Sequence, residues 1–239
     1  MPPGKGWTRL ASRFLHKTWG CEVWHEAPPL LVKFITTCEK LSVQVHPGDD
    51  YARRHHNCSG KTEMWHILAA QPGAQIAAGF REPVSKERLA AAAVSGEILK
   101  LLEWHDAAPG DTFFIPAGTV HAIGAGLTLC EIQQHSDVTY RLYDYGRMRE
   151  LHLDQALEVS CLGRHSPRRH GGVTCDHFIV QCHSVDGGTT LGPSQLIVVT
   201  SGKGSIEGRT IRAGEIWHAE RPEEVNATGN FTVLTVLVK

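Results

Sequence analysis

GDTFFIPAGTVH, residues 110–121, decides how the rest of the chain is read. It runs glycine, five residues, proline, one residue, glycine, two residues, histidine. Gly110 turns the chain into a short apolar run. Pro116 and Gly118 then make a tight corner, since proline presets φ and glycine tolerates positive φ. A corner of that kind at a strand end aims His121 into a rolled sheet, where an imidazole can serve as a metal ligand. The plainer alternative is a histidine that caps a hairpin.

Two upstream stretches supply possible partners. In SVQVH, residues 42–46, Gln44 and His46 lie two apart, so on a strand they share a face. In KTEMWHILA, residues 61–69, Lys61 and Glu63 do the same, while His66 has the wrong parity for the Glu63 face. His46, Glu63 and His121 would make two imidazoles and one carboxylate, a common set for a catalytic divalent metal with open positions. Gln44 would add a neutral oxygen, which is rare for zinc. On spacing alone, Lys61 and Glu63 read equally well as an exposed charged rim.

The remaining pattern is mostly strand. Residues 30–45 read as two strands about a polar turn at 37–40, and 127–134 and 138–143 as two more. Residues 48–60 read as an exposed polar loop with His55 and His56 in solvent. Helices are expected at 85–93, capped by Ser85, again from Ser95 through GEILKLLEW (96–104), and at 154–161. Tyr140, Tyr143 and Tyr145 read as packing residues. The run GRHSPRRHGG, residues 163–172, is polar and rich in breakers, and reads as a linker. Beyond it, short strands at 178–183, 195–199, 204–207, 215–218 and 231–238 suggest a small all-β module, with His218 structural. The expected division is therefore 1–162, linker 163–172, and 173–239, with a helical insert near 85–103.

Composition excludes several functions. The 239 residues carry 24 basic and 25 acidic side chains, net −1, so no global field draws nucleic acid or an anionic membrane. Apolar residues are 41% and charged residues 21%, which suits a folded core. No run of 18 apolar residues occurs, so no membrane span is expected. MPPGKGWTRL lacks an apolar core, so no secretory signal is expected. Seven cysteines, odd in number and without a CxxC pair, point to reduced thiols and a cytoplasmic setting rather than a disulfide framework or thiolate zinc knot.

LLVKFITTCEKLSVQVHPGDD (30–50), GKTEMWHIL (60–68), GDTFFIPAGTVHAIGAG (110–126) and EIQQHSDVTYRLYDYGR (131–147) together resemble the type I mannose-6-phosphate isomerases, in particular their short bacterial form. The 110–121 spacing also looks like the second cupin motif, with Ala125 where that motif often has asparagine. The likeness runs from about residue 30 to 161, roughly half the chain. It implies a mostly β fold of double-stranded β-helix (cupin, jelly-roll) barrels, a bicupin with short helices between strands. It also implies one zinc ion per chain on Gln44, His46, Glu63 and His121, and catalytic parts for Lys33, Lys61 and Arg141. Glu131 competes with Lys61 as the proton-transferring base, and Lys61 ranks first because a metal and a pocket would lower its basicity. Read without the likeness, Lys33 is a solvated lysine and Arg141 a surface strand residue.

The implied reaction interconverts mannose 6-phosphate and fructose 6-phosphate. The implied partners are a small sugar phosphate and no nucleic acid or membrane, with a monomer or weak homo-oligomer. Alternatives are an inactive metal-binding cupin acting as a sugar sensor, or an isomerase of a related sugar. An iron dioxygenase is disfavoured by Lys61 and Gln44. Three departures stand out. KTWGCEVWHEAP, residues 17–28, compresses a region that is longer in the family, with Trp19 and Trp24 expected in the core. His135 stands where asparagine is frequent. GEIWHAERPEE, residues 214–224, has no Pro-x-Gly-x-x-His, so the second module is expected to be a degenerate barrel.

Overall fold

A computed structural model describes residues 6–239. Its organising element is the strand Leu127–Gln134, antiparallel between Leu30–Thr37 and Glu63–Ala70. Residues directly opposite in the ladder share a face. Leu129, Glu131 and Gln133 therefore point the same way as Ile35, Lys33 and Leu31, and as Ile67, Trp65 and Glu63. Cys130 and Ile132 point the other way with Phe34, Val32, His66 and Met64. One face thus carries polar chemistry at one end, and the other is almost wholly apolar. The full sheet has seven strands, ordered Arg168–Arg169, Thr112–Ile115, Glu63–Ala70, Leu127–Gln134, Leu30–Thr37, Gly20–Ala27, Arg13–Lys17.

A second sheet, of five strands, lies against the first. Its order is Tyr140–Tyr143, Val43–Val45, His121–Ile123, Gln75–Phe80, Leu102–Asp106. Ile35, Trp65, Ile67, Phe113 and Leu129 from the first sheet pack on Ile76, Ala78 and Ile123 from the second. On the second sheet's outer face, Val43, Val45, Ala77 and Ala122 meet Leu89, Ala93, Ile98 and Ala156. Those residues come from the helices Lys86–Ser95 and Leu153–Val159 and the single turn Ile98–Leu101. This two-sheet barrel is the expected cupin architecture.

The first sheet's outer face is covered by a third sheet, built from Thr8–Arg9, Gly172–Thr174, Phe178–Ile206, Arg209–Arg212 and Ile216–Val238. Val32, Met64, Cys130 and Ile132 pack on Val180, Val198 and Leu234. Each large side chain buried there contributes about 1.5–3 kcal/mol. The N-terminal strand Thr8–Arg9 thus pairs with the C-terminal part, at Trp217 and His218.

Four local expectations need correction or detail. Residues 48–60 are not a loop throughout: Asp49–His56 is a helix, with Asp49 and Asp50 in its first turn and Arg53 to His56 in its last. That polarity matches the helix dipole, and Asn57 ends it at φ 52°. His55 and His56 are exposed as expected, although His56 Nε2 meets the Tyr140 hydroxyl at 2.5 Å. The helix expected from Ser95 stops at Leu101, because Leu102–Asp106 pairs with Gln75–Phe80 and completes the second sheet. The five short C-terminal strands are in fact two long bent ones plus Arg209–Arg212. Pro193 lies within the register shift between Leu191 and Ser194, and Pro222 precedes Glu223, the partner of Ser194, positions where a missing N–H is tolerated. Within 163–172, Arg168–Arg169 pairs with Thr112–Ile115, and Arg168 forms an ion pair with Asp111.

The corner of residues 116–121 is held tightly. Gly118 sits at φ +85° and its N–H donates to the His46 carbonyl at 2.8 Å. A Cβ there would lie 2.7 Å from Cys161 Sγ and 3.0 Å from the Val159 carbonyl oxygen. Gly118→Ala is therefore expected to cost roughly 1–3 kcal/mol through positive φ and the clash. Thermal unfolding of the variant should show a midpoint several degrees lower; an unchanged midpoint would contradict this account of the corner.

Candidate metal centre

Both sheets contribute to one buried cluster. Gln44 and His121 belong to the second sheet, where they pair directly, and His46 directly follows the end of the strand Val43–Val45. Glu63 heads its strand in the first sheet and faces them from across the barrel. The ligand atoms of His46, Glu63 and His121 all lie within 4.8 Å of one another, and all three residues are buried. Glu63 is 3.6 Å from each imidazole, by Oε2 to His46 Nε2 and by Oε1 to His121 Nε2.

The tautomers follow from the backbone. His46 Nδ1 donates to the Val138 carbonyl at 2.9 Å, and His121 Nδ1 donates to the Thr119 carbonyl at 2.8 Å. Both Nε2 lone pairs therefore turn into the cluster. Lys61 donates to His46 Nε2 at 3.2 Å and the Gln44 amide nitrogen lies 3.3 Å from His121 Nε2. Glu63 Oε1 is buried without a hydrogen bond. Two neutral imidazoles plus an unsatisfied buried carboxylate oxygen fit a divalent cation. Gln44 fits only in its other amide orientation, because here its oxygen accepts from Ser42 at 3.2 Å.

Beside the cluster lies a charged quartet. Lys61 contacts Glu63 closely and stands 3.9 Å from Glu131; Lys33 is 3.2 Å from Glu131 and 3.9 Å from Asp137. Glu131 Oε2 also accepts from Trp65 Nε1 at 3.0 Å. Burial alone would raise Glu131, but Lys61 and Lys33 outweigh it and hold the carboxyl below its usual range. Glu63 is raised, by burial first and then by Glu131, despite its contact with Lys61. Burial pushes His121 down to about 4 and His46 well below its ordinary value. Lys61 reverses the expectation from sequence. Burial lowers its basicity, but Glu131 and Glu63 more than compensate, and the ammonium is held above its ordinary value.

These groups open into a cleft of about 390 Å³ between the sheets. Lys33, Gln44, Lys61, Glu131 and Arg141 all line it, while His46, Glu63 and His121 do not, so the catalytic candidates share one cavity and reach the donor cluster through Gln44 and Lys61. Arg141 sits at the mouth, pairs through its backbone with Gln44, and donates by Nη1 to the Glu150 carbonyl at 3.0 Å. Sequence reasoning missed Trp24, Asp137, Arg149 and His152 in the lining. Trp19 is buried as expected, but Trp24 is a cleft wall with Lys33 Nζ 4.5 Å above its ring. His66 points away from the cluster and bonds Thr112 Oγ1 at 2.9 Å, in line with its parity. His135 pairs with Glu26.

A rolled pair of sheets with a His–Glu–His donor set beside a lysine-lined cleft defines a cupin-fold protein with a candidate metal site. Comparison makes the class specific. Mannose-6-phosphate isomerase ManA of Bacillus subtilis (strain 168) is 40% identical over 200 residues, covering 74% of this chain and 63% of that protein. Mannose-6-phosphate isomerase of Streptococcus mutans serotype c is 43% identical over 142 residues, 57% of this chain and 45% of that one. The crystal structure of mannose 6-phosphate isomerase from Bacillus subtilis matches with TM-score 0.86 at 25% identity, over 98% of this chain and 100% of that chain. A zinc-bound mannose 6-phosphate isomerase structure shares the fold with TM-score 0.77 at 14% identity, over 98% of this chain and 100% of that one. No family model matches. The chain is similar to mannose-6-phosphate isomerases over 74% of its own length and shares their fold over nearly all of it. It spans less than two thirds of the length of these two curated relatives.

Proposed function

We propose that this chain is an aldose–ketose isomerase that interconverts mannose 6-phosphate and fructose 6-phosphate, with one zinc ion per chain on Gln44, His46, Glu63 and His121. The observation that carries the reading is the buried convergence of His46, Glu63 and His121, with Lys61 in contact with Glu63 and lining, together with Glu131, the adjoining cleft. The sensor alternative gains nothing from the geometry, since two proton-transfer groups lie in the cleft beside the donor cluster.

A divalent ion held there supplies Lewis-acid polarisation of the substrate oxygens. The chain's own groups do the rest. Isomerisation moves a proton between C1 and C2, so one group must take a carbon proton and return it. Lys61 and Glu131, 3.9 Å apart, are the proton-handling pair. Lys33, against Glu131 and Trp24, donates toward the ring oxygen or the phosphate. Arg141 has no carboxylate within 4 Å among the described residues, and its fork suits an anionic oxygen or phosphate. In this reading residues 1–162 carry the chemistry and 173–239 form a degenerate, supporting barrel. The seven cysteines are all unpaired, which suits a reducing cytoplasm. No helix among the described residues is long and apolar enough to cross a membrane.

The test is an assay of fructose 6-phosphate formation by the purified chain, before and after chelation, with metal content measured alongside. Chelation should abolish turnover and added Zn²⁺ should restore it. Activity that survives complete metal removal would sink the proposal.

A further inference from the structure

The segment 144–152 bounds one side of the cleft mouth and holds an uneven charge arrangement. The Asp144 side chain, 1% exposed, receives two guanidinium groups. Arg149 grips it in a fork, Nε to Oδ2 at 2.7 Å and Nη2 to Oδ1 at 2.6 Å. Arg147 binds the same carboxylate at 2.7 Å, but its Nη2 also donates to the Lys40 carbonyl at 2.8 Å and it leans on Glu39. Arg147 thus ties the segment to the turn at residues 38–40 and does not line the cleft. Arg149 does line it, and its side chain remains 35% exposed. Arg141 lines the same mouth. Glu150 lines the cleft as well, but among the described residues its ion pair is with His152 and not with either arginine, so the guanidinium of Arg141 and the edge of Arg149 turned away from Asp144 keep donors for an anion. The cluster at His46, Glu63 and His121 lies deeper, past Lys61.

We propose that Arg149 is a specificity-determining residue that, with Arg141, grips the phosphate of the substrate, and that Asp144 is the positioning residue that orients it. This rests on the sugar-phosphate reading above. A phosphate monoester carries about −1.5 to −2 charges near pH 7 and presents three acceptor oxygens. Two forked guanidiniums match that charge and shape better than one. A guanidinium already fixed by a buried carboxylate spends little rotamer entropy on binding. The reacting end of the sugar is then left toward Lys33, Lys61 and Glu131.

The experiment measures steady-state kinetics and calorimetric binding on the full zinc-loaded chain, with mannose 6-phosphate and inorganic phosphate as probes. Arg149→Ala should raise KM for mannose 6-phosphate by roughly 10- to 100-fold, the range for one charged hydrogen-bonding partner, with kcat within about twofold. Affinity for both probes should fall in parallel. Arg149→Lys, which keeps charge but not the fork, should recover part of the loss, and Asp144→Asn should fall between. Lys100→Ala, whose side chain pairs with Glu97 on the surface, is the control and should bind as wild type. An unchanged KM and unchanged affinity in Arg149→Ala would overturn the proposal, as would a wild-type chain that binds neither probe. A wild type that binds both probes, loses them in Arg149→Ala, yet forms no fructose 6-phosphate would uphold the anion site and remove the isomerase reading.

Discussion

His121→Ala should leave a folded chain that no longer retains a divalent ion. The imidazole is wholly buried, its tautomer is set by the Thr119 carbonyl, and its Nε2 faces Glu63 Oε1 at 3.6 Å. Losing an outer-shell partner of a metal site commonly costs 10–100-fold in affinity, so deleting a donor should cost at least about 100-fold. Zinc content after dialysis and the rate of fructose 6-phosphate formation should fall together. Circular dichroism should retain the strand signature, because the cavity is lined by only a few groups and the apolar clusters remain. A variant that keeps stoichiometric zinc would show that His121 does not ligate, and the donor set would have to be redrawn.

Glu131→Gln should produce the second large effect, and of a different kind. Glutamine keeps an oxygen for the Trp65 N–H, now 3.0 Å from Glu131 Oε2, yet cannot take a proton. If Glu131 and Lys61 share the carbon proton, kcat should drop on the order of 10²- to 10⁴-fold with KM and zinc content nearly unchanged. Lys33 and Lys61 lose a buried counter-charge, and breaking a buried pair costs up to about 3–5 kcal/mol. Asp137 and Glu63 remain as partners, so the lower part of that range is expected, visible as a reduced unfolding midpoint. A kcat within a few-fold of wild type would leave Lys61 as the proton carrier without Glu131.

Why some of this was readable in advance is a matter of period. Two-residue spacing pairs Gln44 with His46 and Lys61 with Glu63, although His46 and Lys61 lie just outside the strands Val43–Val45 and Glu63–Ala70, and strand parity sets His66 on the face opposite Glu63. Register across the Leu127–Gln134 ladder then brought Glu131 opposite Lys33, which no local pattern encodes. The helix Asp49–His56 was hidden because it lacks an apolar stripe, although its charges run with the dipole. Beyond Leu101 the helical pattern gives way, since sheet pairing of Leu102–Asp106 outweighs local helical propensity. Trp24 looked like core because tryptophan usually is; its role as a wall under Lys33 follows only from the fold. Lys61 was expected to lose basicity by burial, and the reversal comes from two carboxylates that converge from distant sequence. Arg149 gave no signal, since its orientation depends on Asp144, whose burial is a tertiary fact.

The strands Glu63–Ala70 and Leu127–Gln134 serve two masters at once. Their inward residues set reactive groups, while Met64, Cys130 and Ile132, one step along the same backbones, bond the barrel to its neighbour. Chemistry and scaffolding are thus interleaved residue by residue, so neither half can drift in evolution without dragging the other. A barrel pared of its companion sheet would inherit an oily wall in place of a surface, and would aggregate before it could work.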